Sequence, residues 1–482
     1  MGFRRYSSYS AAFGLALLLA LSTQATARPA DASALVKSLV DDGALRGLVV
    51  GAAVAELPSG RMLAEHDADH LLYPASGAKL LTVAAALRRL PADTVWTTQV
   101  HGAVRDGVVD GPLVLVGGGD PKLMPADLAA LADAVAERGV TAVRGGVVVD
   151  ATRHDEACLP PAFDQKDTDA GYRASVGAAA CNFGAVVVSV RGAKKAGRAV
   201  NVSIDPPTAA VKVEAVARTV AGRGEGVQVN LSTLPDGRTL VRVTGSLGAR
   251  RFGFNERRRI SDPDLLSGYL LSEALARRGV KVDGPVVVRR RASEPLPPEL
   301  ARHTSASLAD TVRDINTWSN NFMAETLFRE LGRVPSVDDP ATWSCARDAV
   351  GTALTELGIP RDQFVVVNGS GLYHATQITP RAMVQLLVAM AADPKIAGTF
   401  EDSLAVSGGS GTLGGRLKGA TTRGRVHAKT GTLDEVVSLS GYLTTQSNRR
   451  LAFTVIVNQG SPAQTSGMRG AIDRFVTRLA DL

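Results

Sequence analysis

Cysteine and aromatic residues are scarce in this chain of 482 residues. Three cysteines allow at most one disulfide bond, and phenylalanine, tryptophan and tyrosine together supply only 5% of the sequence. Hydrophobic residues nevertheless reach 45% and charged residues 21%, a globular composition that excludes a disordered or fibrous chain. Alanine, valine, leucine and glycine must therefore carry most of the apolar volume, and the length predicts about two to four domains.

Long apolar runs are confined to the start of the chain. The run AAFGLALLLAL at residues 11–21 is too short to span a bilayer. It follows Arg4-Arg5 and precedes Ala25-Thr26-Ala27, which has the small residues of a signal-peptide cleavage site. We therefore expect residues 1–27 to be an export signal and the mature protein to begin near Arg28, in the periplasm or at the cell wall.

Export would place the three cysteines in an oxidising compartment. Cys158 and Cys181 lie in one region of the chain, and the sequence leaves open whether they form a disulfide bond or remain free. Cys345 would then have no partner, and we expect it to be a small buried apolar residue.

Positive charge is concentrated in one segment. Residues 191–259 hold 14 Lys and Arg against 5 Asp and Glu, an excess larger than the net charge of +7 of the whole chain. The segment is either an ordinary basic surface or a region attracted to anionic lipid headgroups or cell-wall polymers. Export and the scarcity of aromatic residues for base stacking argue against nucleic acid as a partner.

The apolar pattern along the chain predicts an α+β fold with a long insert. The opening segment reads as a helix near residues 31–42, a β-hairpin and a buried helix, and helices and strands of similar texture resume after the insert. Short valine-rich runs within the insert predict a small β-rich domain. We expect three domains: a first domain from 28–96 and 303–482, an inserted α/β domain from 97–185 and 260–302, and a nested, basic, β-rich domain at 186–259.

Three short motifs occur once each, in order along the chain. They are Ser76-Gly77-Ala78-Lys79, Ser319-Asn320-Asn321, and Lys429-Thr430-Gly431 followed by Thr432. Taken singly, each has a purely structural explanation, such as a helix cap, a polar helix surface or a solvated strand lysine. Together, in an exported chain, they match the set found in penicillin-binding proteins and class A β-lactamases.

The chemistry of serine acyl transfer explains this combination. A serine hydroxyl is a poor nucleophile until a nearby base removes its proton, and Lys79 would lie close to Ser76 on one face of a helix start. Lysine acts as a base only when neutral, so burial and a second cation, for which Lys429 is the candidate, should lower its pKa. Ser319 could pass a proton to the leaving amine, and Asn321 could hold a substrate amide. Backbone N–H groups of Ser76 and of the Thr432 strand could form an oxyanion hole.

Motifs for other chemistry lack their structural context. GSGTLG at 409–414 fits a dinucleotide-binding pattern, but no βαβ unit surrounds it. HDADH at 66–70 follows a hairpin, and the chain has no HExxH motif. A Gly-x-Ser-x-Gly elbow is also missing, which argues against an α/β-hydrolase. We therefore expect no metal and no cofactor.

Beyond the motifs, the sequence resembles the penicillin-binding protein 4-like, class C low-molecular-mass D-alanyl-D-alanine carboxypeptidase/endopeptidase family. The resemblance covers nearly the whole chain after the export signal, with YPASGAKLLT, NTWSNNFMAETLFRELG and VHAKTGTLDEVVSLSGYL as its clearest stretches. Ser76 and Ser319 are 243 positions apart (319 − 76), which leaves room for the two extra domains of this family. The resemblance implies a transpeptidase/β-lactamase-like domain, with an antiparallel sheet flanked by helices, interrupted by two smaller domains.

The resemblance also implies a reaction and a role for each motif residue. The substrates would be D-Ala-D-Ala stem peptides of peptidoglycan or their cross-links, and β-lactams would acylate the same serine. The implied roles are the acylated nucleophile for Ser76, the general base for Lys79 and the second-motif pair for Ser319 and Asn321. Lys429, Thr430 and Thr432 would recognise the carboxylate, with the Thr432 N–H in the oxyanion hole, and Gly431 would belong to the same substrate-binding segment.

Two stretches depart from the family pattern. The family commonly has Asp-Gly-Ser-Gly-Leu-Ser-Arg-x-Asn, where this chain has NGSGLYHAT. In the insert, the family pattern Asp-x-Ser-x-Phe-Asp is replaced by DATRHD, which has histidine at the position of phenylalanine. The differing residues are Asn368, Tyr373, His374, Thr376 and His154. Both regions shape the pocket for the stem-peptide side chain in this family, so the sequence leaves open which side chain the enzyme prefers.

The alternatives to a DD-peptidase are a β-lactamase, which the long insert disfavours, and a wall-binding module, which the intact motifs disfavour.

Overall fold

The computed structural model describes residues 31–249, 252–291, 295–333 and 339–482. The export signal expected at residues 1–27 lies outside these ranges. The described residues form ten α-helices and six β-sheets. In these ranges we find no helix with the length and hydrophobicity needed to cross a membrane.

Residues 31–96 begin with a helix, a hairpin and a second helix, as the sequence predicts. These elements are α1 (Ala32–Val40), β1 (Val49–Leu57), β2 (Met62–His66) and α2 (Lys79–Arg89). A 3-10 turn at Ala75–Ala78 leads directly into α2. The Asp31 carboxylate caps α1 by accepting the Ser33 N–H, and α2 is buried along nearly its whole length.

The middle of the chain holds sixteen of the described strands and two helices. They are β3 (Thr97–His101), β4 (Val104–Arg105), β5 (Val108–Val109), β6 (Leu113–Val116), α3 (Pro125–Glu137), β7 (Ala142–Val143), β8 (Val147–Asp150), β9 (Ala185–Arg191), β10 (Asn201–Asp205), β11 (Val211–Ala215), β12 (Arg218–Val220), β13 (Gly226–Thr233), β14 (Thr239–Gly248), β15 (Phe254–Arg259), α4 (Pro263–Arg277), β16 (Lys281–Val282), β17 (Val286–Arg289) and β18 (Glu299–Thr304). The two helices pack against each other.

These strands fall into two groups of sheets. One group is the mixed sheet β17-β8-β6-β3-β18 with the small sheet β16-β7-β5-β4. The other is the sheet β10-β9-β15 with the sheet formed by β11, β14, β12 and β13. Among the described strands, β9 to β15 pair only with one another, which supports the proposed nested β-rich domain at 186–259.

The last part of the chain supplies six helices and six strands among the described residues. They are α5 (Leu308–Trp318), α6 (Asn321–Leu331), α7 (Trp343–Glu356), β19 (Phe364–Val365), β20 (Gln377–Ile378), α8 (Pro380–Ala392), α9 (Ala397–Asp402), β21 (Ala405–Val406), β22 (Val426–Leu433), β23 (Val436–Thr444), β24 (Arg450–Asn458) and α10 (Thr465–Ala480).

The two ends of the chain meet in one antiparallel sheet of order β2-β1-β24-β23-β22-β21. Helices cover both faces, and the alternation of side chains along β1 shows how. Ala53 and Ala55 face the core that contains α2, α6, α7 and α8, while Ala52 and Val54 face the core that contains α1 and α10. Small residues on a strand buried from both sides let the helices approach closely. The predicted α+β fold, a sheet flanked by helices with a long insert, is confirmed.

The structure corrects one expectation about cysteine and decides another. Cys158, Cys181 and Cys345 are all free thiols. Cys181 lies in the apolar core of the insert, and burial raises the pKa of both Cys181 and Cys158, the latter to about 12. Cys345, expected to be buried, is exposed, because it lies in the first turn of α7 on the side that faces solvent.

Candidate active site

Ser76 and Lys79 lie side by side where the 3-10 turn becomes α2. The Lys79 side chain is fully buried. Its Nζ donates hydrogen bonds to Ser76 Oγ at 2.9 Å, to Asn321 Oδ1 at 2.7 Å and to the Ser370 carbonyl at 2.9 Å. Burial lowers the pKa of Lys79 to about 7, against an opposing effect of the Glu325 carboxylate. A lysine with this pKa can take up the serine proton near neutral pH.

Gly431 allows strand β22 to lie against the turn that carries Ser76. A Cβ atom at this position would come within 2.2 Å of Ser438 Oγ and 2.3 Å of the Pro74 carbonyl oxygen. The Ser438 hydroxyl also donates to that carbonyl at 2.6 Å, and Ala75 has a positive φ of 48°. The sharp turn at 75 and the missing side chain at 431 together bring the strand beside the serine.

Ser319 and Lys429 form a second polar pair beside the first. Ser319 ends α5 in the left-handed conformation, with φ 60°, which turns its side chain toward β22. Lys429 Nζ donates to Ser319 Oγ and to the Thr430 carbonyl, both at 2.8 Å. The Lys429 side chain is fully buried, and burial, with a further contribution from Lys79, lowers its pKa well below the usual value. Two ammonium groups in one buried site repel each other, so Lys79 and Lys429 do not readily carry a positive charge at the same time.

The main cause of the low Lys79 pKa differs in part from the expectation. The sequence suggests burial and Lys429 as joint causes. In the structure, burial is the largest influence on the pKa of Lys79, and the repulsion between the two lysines lowers the pKa of Lys429.

The structure adds a group that the motifs do not contain. Glu325 is fully buried on α6, and its carboxylate accepts the N–H groups of Gly369 at 3.0 Å and Ser370 at 2.7 Å. Its position four residues after Asn321 is the one sequence signal that could have placed it on the site face of α6.

Asn321 connects the site to the insert. Its Oδ1 accepts from Lys79, and its Nδ2 donates to the Tyr172 carbonyl at 2.9 Å. Tyr172 belongs to the insert and is 54% exposed beside the site. The amide that we expected to hold substrate is therefore already engaged by the insert in this structure.

Thr430 and Thr432 lie on an open edge of the sheet. Strand β21 pairs with β22 only at His427 and Ala428, so the later residues of β22 have no strand neighbour on that side within the described chain. The Thr430 hydroxyl donates to Thr412 Oγ1 at 2.9 Å, and the Thr432 hydroxyl donates to the Gly431 carbonyl at 2.8 Å.

Two clefts share Ser76 in their lining. The larger has a volume of about 600 Å³ and the smaller about 370 Å³. Ser76, Ser319 and Thr432 line both clefts. The larger cleft also contains Lys166, Tyr172, Tyr373, His374, Asp434 and Glu435, and the smaller contains Thr412, Arg416, Thr430 and Arg469. The nucleophile candidate therefore borders both clefts.

The residues that depart from the family pattern have different positions. Tyr373 and His374 line the larger cleft. Asn368 and Thr376 are buried and hydrogen-bond within the loop that they delimit, where Thr376 Oγ1 accepts the Asn368 N–H at 3.2 Å. Asn368 Nδ2 also donates to the Pro161 carbonyl in the insert at 3.0 Å. Neither residue lines the clefts, so both act on the larger cleft through the position of this loop.

His154, expected to shape the substrate pocket, lines neither cleft. It is fully buried, and its Nε2 lies 2.7 Å from Glu330 Oε1, while Arg153 Nη2 contacts the same carboxylate at 2.5 Å. Burial is the largest effect on His154 and lowers its pKa to about 4. Burial alone would raise the pKa of Glu330, but the Arg153 guanidinium and the hydrogen bond with His154 bring it to about 2. This position therefore joins the insert to α6.

Comparison with known proteins agrees with this geometry. A model of the D-Ala-D-Ala carboxypeptidase 3 (S13) family matches residues 32–479. The chain belongs to this family. The S13 chain is 33% identical over 466 residues to a D-alanyl-D-alanine carboxypeptidase of Actinomadura sp. strain R39, a match that covers 92% of this chain and 84% of the relative. The predicted resemblance is confirmed.

Solved structures show the same fold. Penicillin-binding protein 4 from Haemophilus influenzae superposes with a TM-score of 0.79 at 21% identity, covering 93% of this chain and 99% of that one. A predatory peptidoglycan endopeptidase from Bdellovibrio bacteriovorus has a TM-score of 0.53 at 14% identity and covers 90% and 93% of the two chains. The fold of this chain is therefore shared by both solved structures over about nine-tenths of its length.

Proposed function

We propose that this protein is a serine DD-peptidase of peptidoglycan metabolism that works through an acyl-enzyme on Ser76. The observation that carries the proposal is the 2.9 Å contact between Ser76 Oγ and the buried Nζ of Lys79, whose pKa is about 7. The match of residues 32–479 to the S13 family supports the substrate class, the D-Ala-D-Ala end of stem peptides or their cross-links.

The reaction follows from the positions of the proton-carrying groups. Lys79, in its neutral form, takes the Ser76 proton while Oγ bonds to the carbonyl carbon of the substrate. The N–H groups of Ser76 and Thr432 stabilise the oxyanion. The C–N bond to the terminal D-Ala then breaks, and Ser319 passes a proton to the departing amine. Ser319 recovers a proton from the protonated Lys79, which returns Lys79 to its neutral form. Water, deprotonated by Lys79, hydrolyses the ester and restores the serine.

β-Lactams should acylate the same serine, because ring opening forms the same kind of ester and leaves the amine tethered. A structure of the Haemophilus influenzae relative is described as a complex with a β-lactam, which supports this part of the proposal. Labelling with a fluorescent penicillin, wild type against Ser76→Ala, tests it. We expect label on the wild type alone. An unlabelled wild type, or equal labelling of the variant, would contradict the proposal.

The main rival within the enzymes is a β-lactamase. It would hydrolyse its acyl-enzyme rapidly, so purified protein would turn over nitrocefin many times. A DD-peptidase should instead become stoichiometrically acylated and release D-Ala from a pentapeptide ending in D-Ala-D-Ala. A wall-binding module with inactive motifs would do neither.

We further propose that the nested domain contacts anionic wall or membrane polymers. The turn between β9 and β10 exposes Lys194, Lys195 and Arg198. Arg218 lies beside this turn, and its Nη1 donates to the Gly197 carbonyl at 3.0 Å. Within the described ranges these four cations form no ion pair. Phe252 is fully exposed. It comes two residues before Phe254, which pairs with Val190 near the end of β9, so Phe252 lies at the same end of the sheet as these cations. Unpaired cations around an exposed aromatic ring suit an anionic surface.

Sedimentation with isolated sacculi, and separately with anionic liposomes, tests this contact. We expect binding at low salt that is lost at high salt, and weaker binding after Lys194, Lys195 and Arg198 are changed to glutamine. Salt-independent sedimentation would contradict electrostatic docking. Cell fractionation would show whether the protein is exported to the periplasm or wall, and N-terminal analysis would show whether the mature chain begins near Arg28.

A further inference from the structure

The smaller cleft beside Ser76 contains two arginines that differ in their partners. The Arg416 guanidinium forms an ion pair with Asp473 at 2.7 Å. The Arg469 guanidinium donates to Thr432 Oγ1 at 3.1 Å, and within the described chain it has no carboxylate partner. Arg469 is therefore the cation in this cleft whose charge is not already balanced.

Arg469 reaches the cleft through the packing of α10. Met468 and Ile472 on the same helix are buried in the core beneath the sheet. Arg469 lies between them, in the second turn of α10, and extends past the open edge of β22. A buried helix therefore fixes the base of an exposed cationic side chain, and its tip lies near the nucleophile.

Lys429, the residue that the motif assigns to carboxylate recognition, is poorly placed for that task. It is fully buried, lines neither cleft and already donates to Ser319 and to the Thr430 carbonyl. A carboxylate in the smaller cleft would instead meet the hydroxyls of Thr430 and Thr432 and the guanidinium of Arg469. Arginine keeps its charge at any physiological pH and can bind a carboxylate through two parallel hydrogen bonds.

We propose that Arg469 is the specificity-determining residue that binds the free α-carboxylate of the departing D-Ala, together with Thr430 and Thr432. This inference rests on the proposed DD-peptidase function and assigns the smaller cleft to the leaving group. The rest of the stem peptide would then occupy the larger cleft. Lys429 is left to control the proton on Ser319.

The test compares two peptides, one ending in D-Ala-D-Ala with a free carboxylate and one with the same terminus as a carboxamide. Arg469→Gln should lower kcat/KM for the free acid by about 10- to 100-fold, the range expected when a hydrogen bond to a charged group is lost. Turnover of the carboxamide should stay at the wild-type level. The preference of the enzyme for the acid over the amide should therefore collapse, and Arg469→Lys should restore part of it.

Arg478→Gln is the matched control, because Arg478 lies on the same helix and its Nη1 donates to Ser38 Oγ at 2.6 Å. It should keep the wild-type preference. Equal loss of both substrates in Arg469→Gln, or an unchanged preference, would overturn the inference while leaving the DD-peptidase proposal intact. Labelling of Arg469→Gln by saturating penicillin would show that Ser76 still reacts. A wild type that cleaves neither peptide and takes no label would overturn both proposals.

Discussion

The Glu325 carboxylate accepts the backbone N–H of Ser370 at 2.7 Å, and the Ser370 carbonyl in turn accepts from Lys79 Nζ at 2.9 Å. A buried acid thus positions the loop that holds the proposed base, and its charge also acts on that base directly. Burial raises the pKa of Glu325, and the Ser370 hydroxyl, the two backbone N–H groups and Lys79 oppose that rise. The carboxylate therefore serves both the structure of the site and its electrostatics.

Glu325→Gln should shift the pH dependence of acylation. Because the Glu325 carboxylate raises the pKa of Lys79, its removal should lower that pKa and move the acidic limb of the rate profile to lower pH. The variant should also lose about 1–2 kcal/mol of stability, since one amide oxygen cannot replace two carboxylate oxygens as acceptors. Stopped-flow acylation by a chromogenic β-lactam across pH gives the first result and urea unfolding the second. A limb that does not move would mean that Glu325 is uncharged beside Lys79.

The wild-type acylation rate should itself rise with pH through a value of about 7. Lys79 accepts the serine proton only in its neutral form, so the active fraction grows as pH passes its pKa. Lys79→Ala should lower acylation by about 10²- to 10⁴-fold and remove this limb. The same rise in Lys79→Ala would assign the titration to another group.

Gly431→Ala should lower the rate of acylation strongly and the melting temperature only slightly. The new Cβ would clash with Ser438 Oγ and the Pro74 carbonyl, and β22 would have to move away from the serine turn. Gly398→Ala is the control, since a Cβ at this helical glycine meets nothing within 4 Å. We expect Gly398→Ala to keep wild-type rates and to have a melting temperature equal to or slightly above that of the wild type, because alanine favours a helix more than glycine does. Wild-type acylation in Gly431→Ala would show that the close approach is not needed.

Stability should fall on acidification from about pH 6.5 toward pH 4 because of His154. Its folded pKa of about 4 lies below the usual 6.5, so protons bind the unfolded state first and favour unfolding across that window. The full effect is about 3 kcal/mol at most. His154→Phe should flatten this part of the curve, as measured by urea unfolding at several pH values. Glu330, with a folded pKa of about 2, should add a further loss below about pH 4.5 in the wild type and a smaller one in His154→Phe, because His154 helps to lower that pKa.

One cysteine should react in the native protein and three after unfolding. Cys345 is exposed, whereas burial raises the pKa values of Cys158 and Cys181 and leaves little reactive thiolate. Titration with a thiol reagent, without any reductant, measures both numbers. A single reactive thiol after unfolding would indicate a disulfide bond between Cys158 and Cys181.

Local spacing explains which parts of the site could be predicted. Ser76 and Lys79 are neighbours on one turn, and the order of the three motifs is typical of a known fold. The insert was predictable from the separation of Ser76 and Ser319. These features depend on short-range geometry or on a recognised order of motifs.

The remaining features depend on contacts that sequence patterns do not encode. Arg469 reaches the site because α10 packs on the far face of the sheet. Ser370 reaches it because a loop that is distant in sequence places its carbonyl against Lys79. His154 was assigned to the pocket by its motif, but its contact with Glu330 on α6 places it in the interior. Cys345 is exposed because of its position in the first turn of α7, which apolar character alone does not predict.

The most direct test of the account is to locate the penicillin adduct by mass spectrometry. The intact protein should gain the mass of one penicillin, and peptide mapping should place it on the fragment that contains Ser76. The Ser76→Ala protein should stay unmodified under the same conditions. A stoichiometric adduct on any other residue, or none on the wild type, would contradict the assignment of Ser76 as the nucleophile.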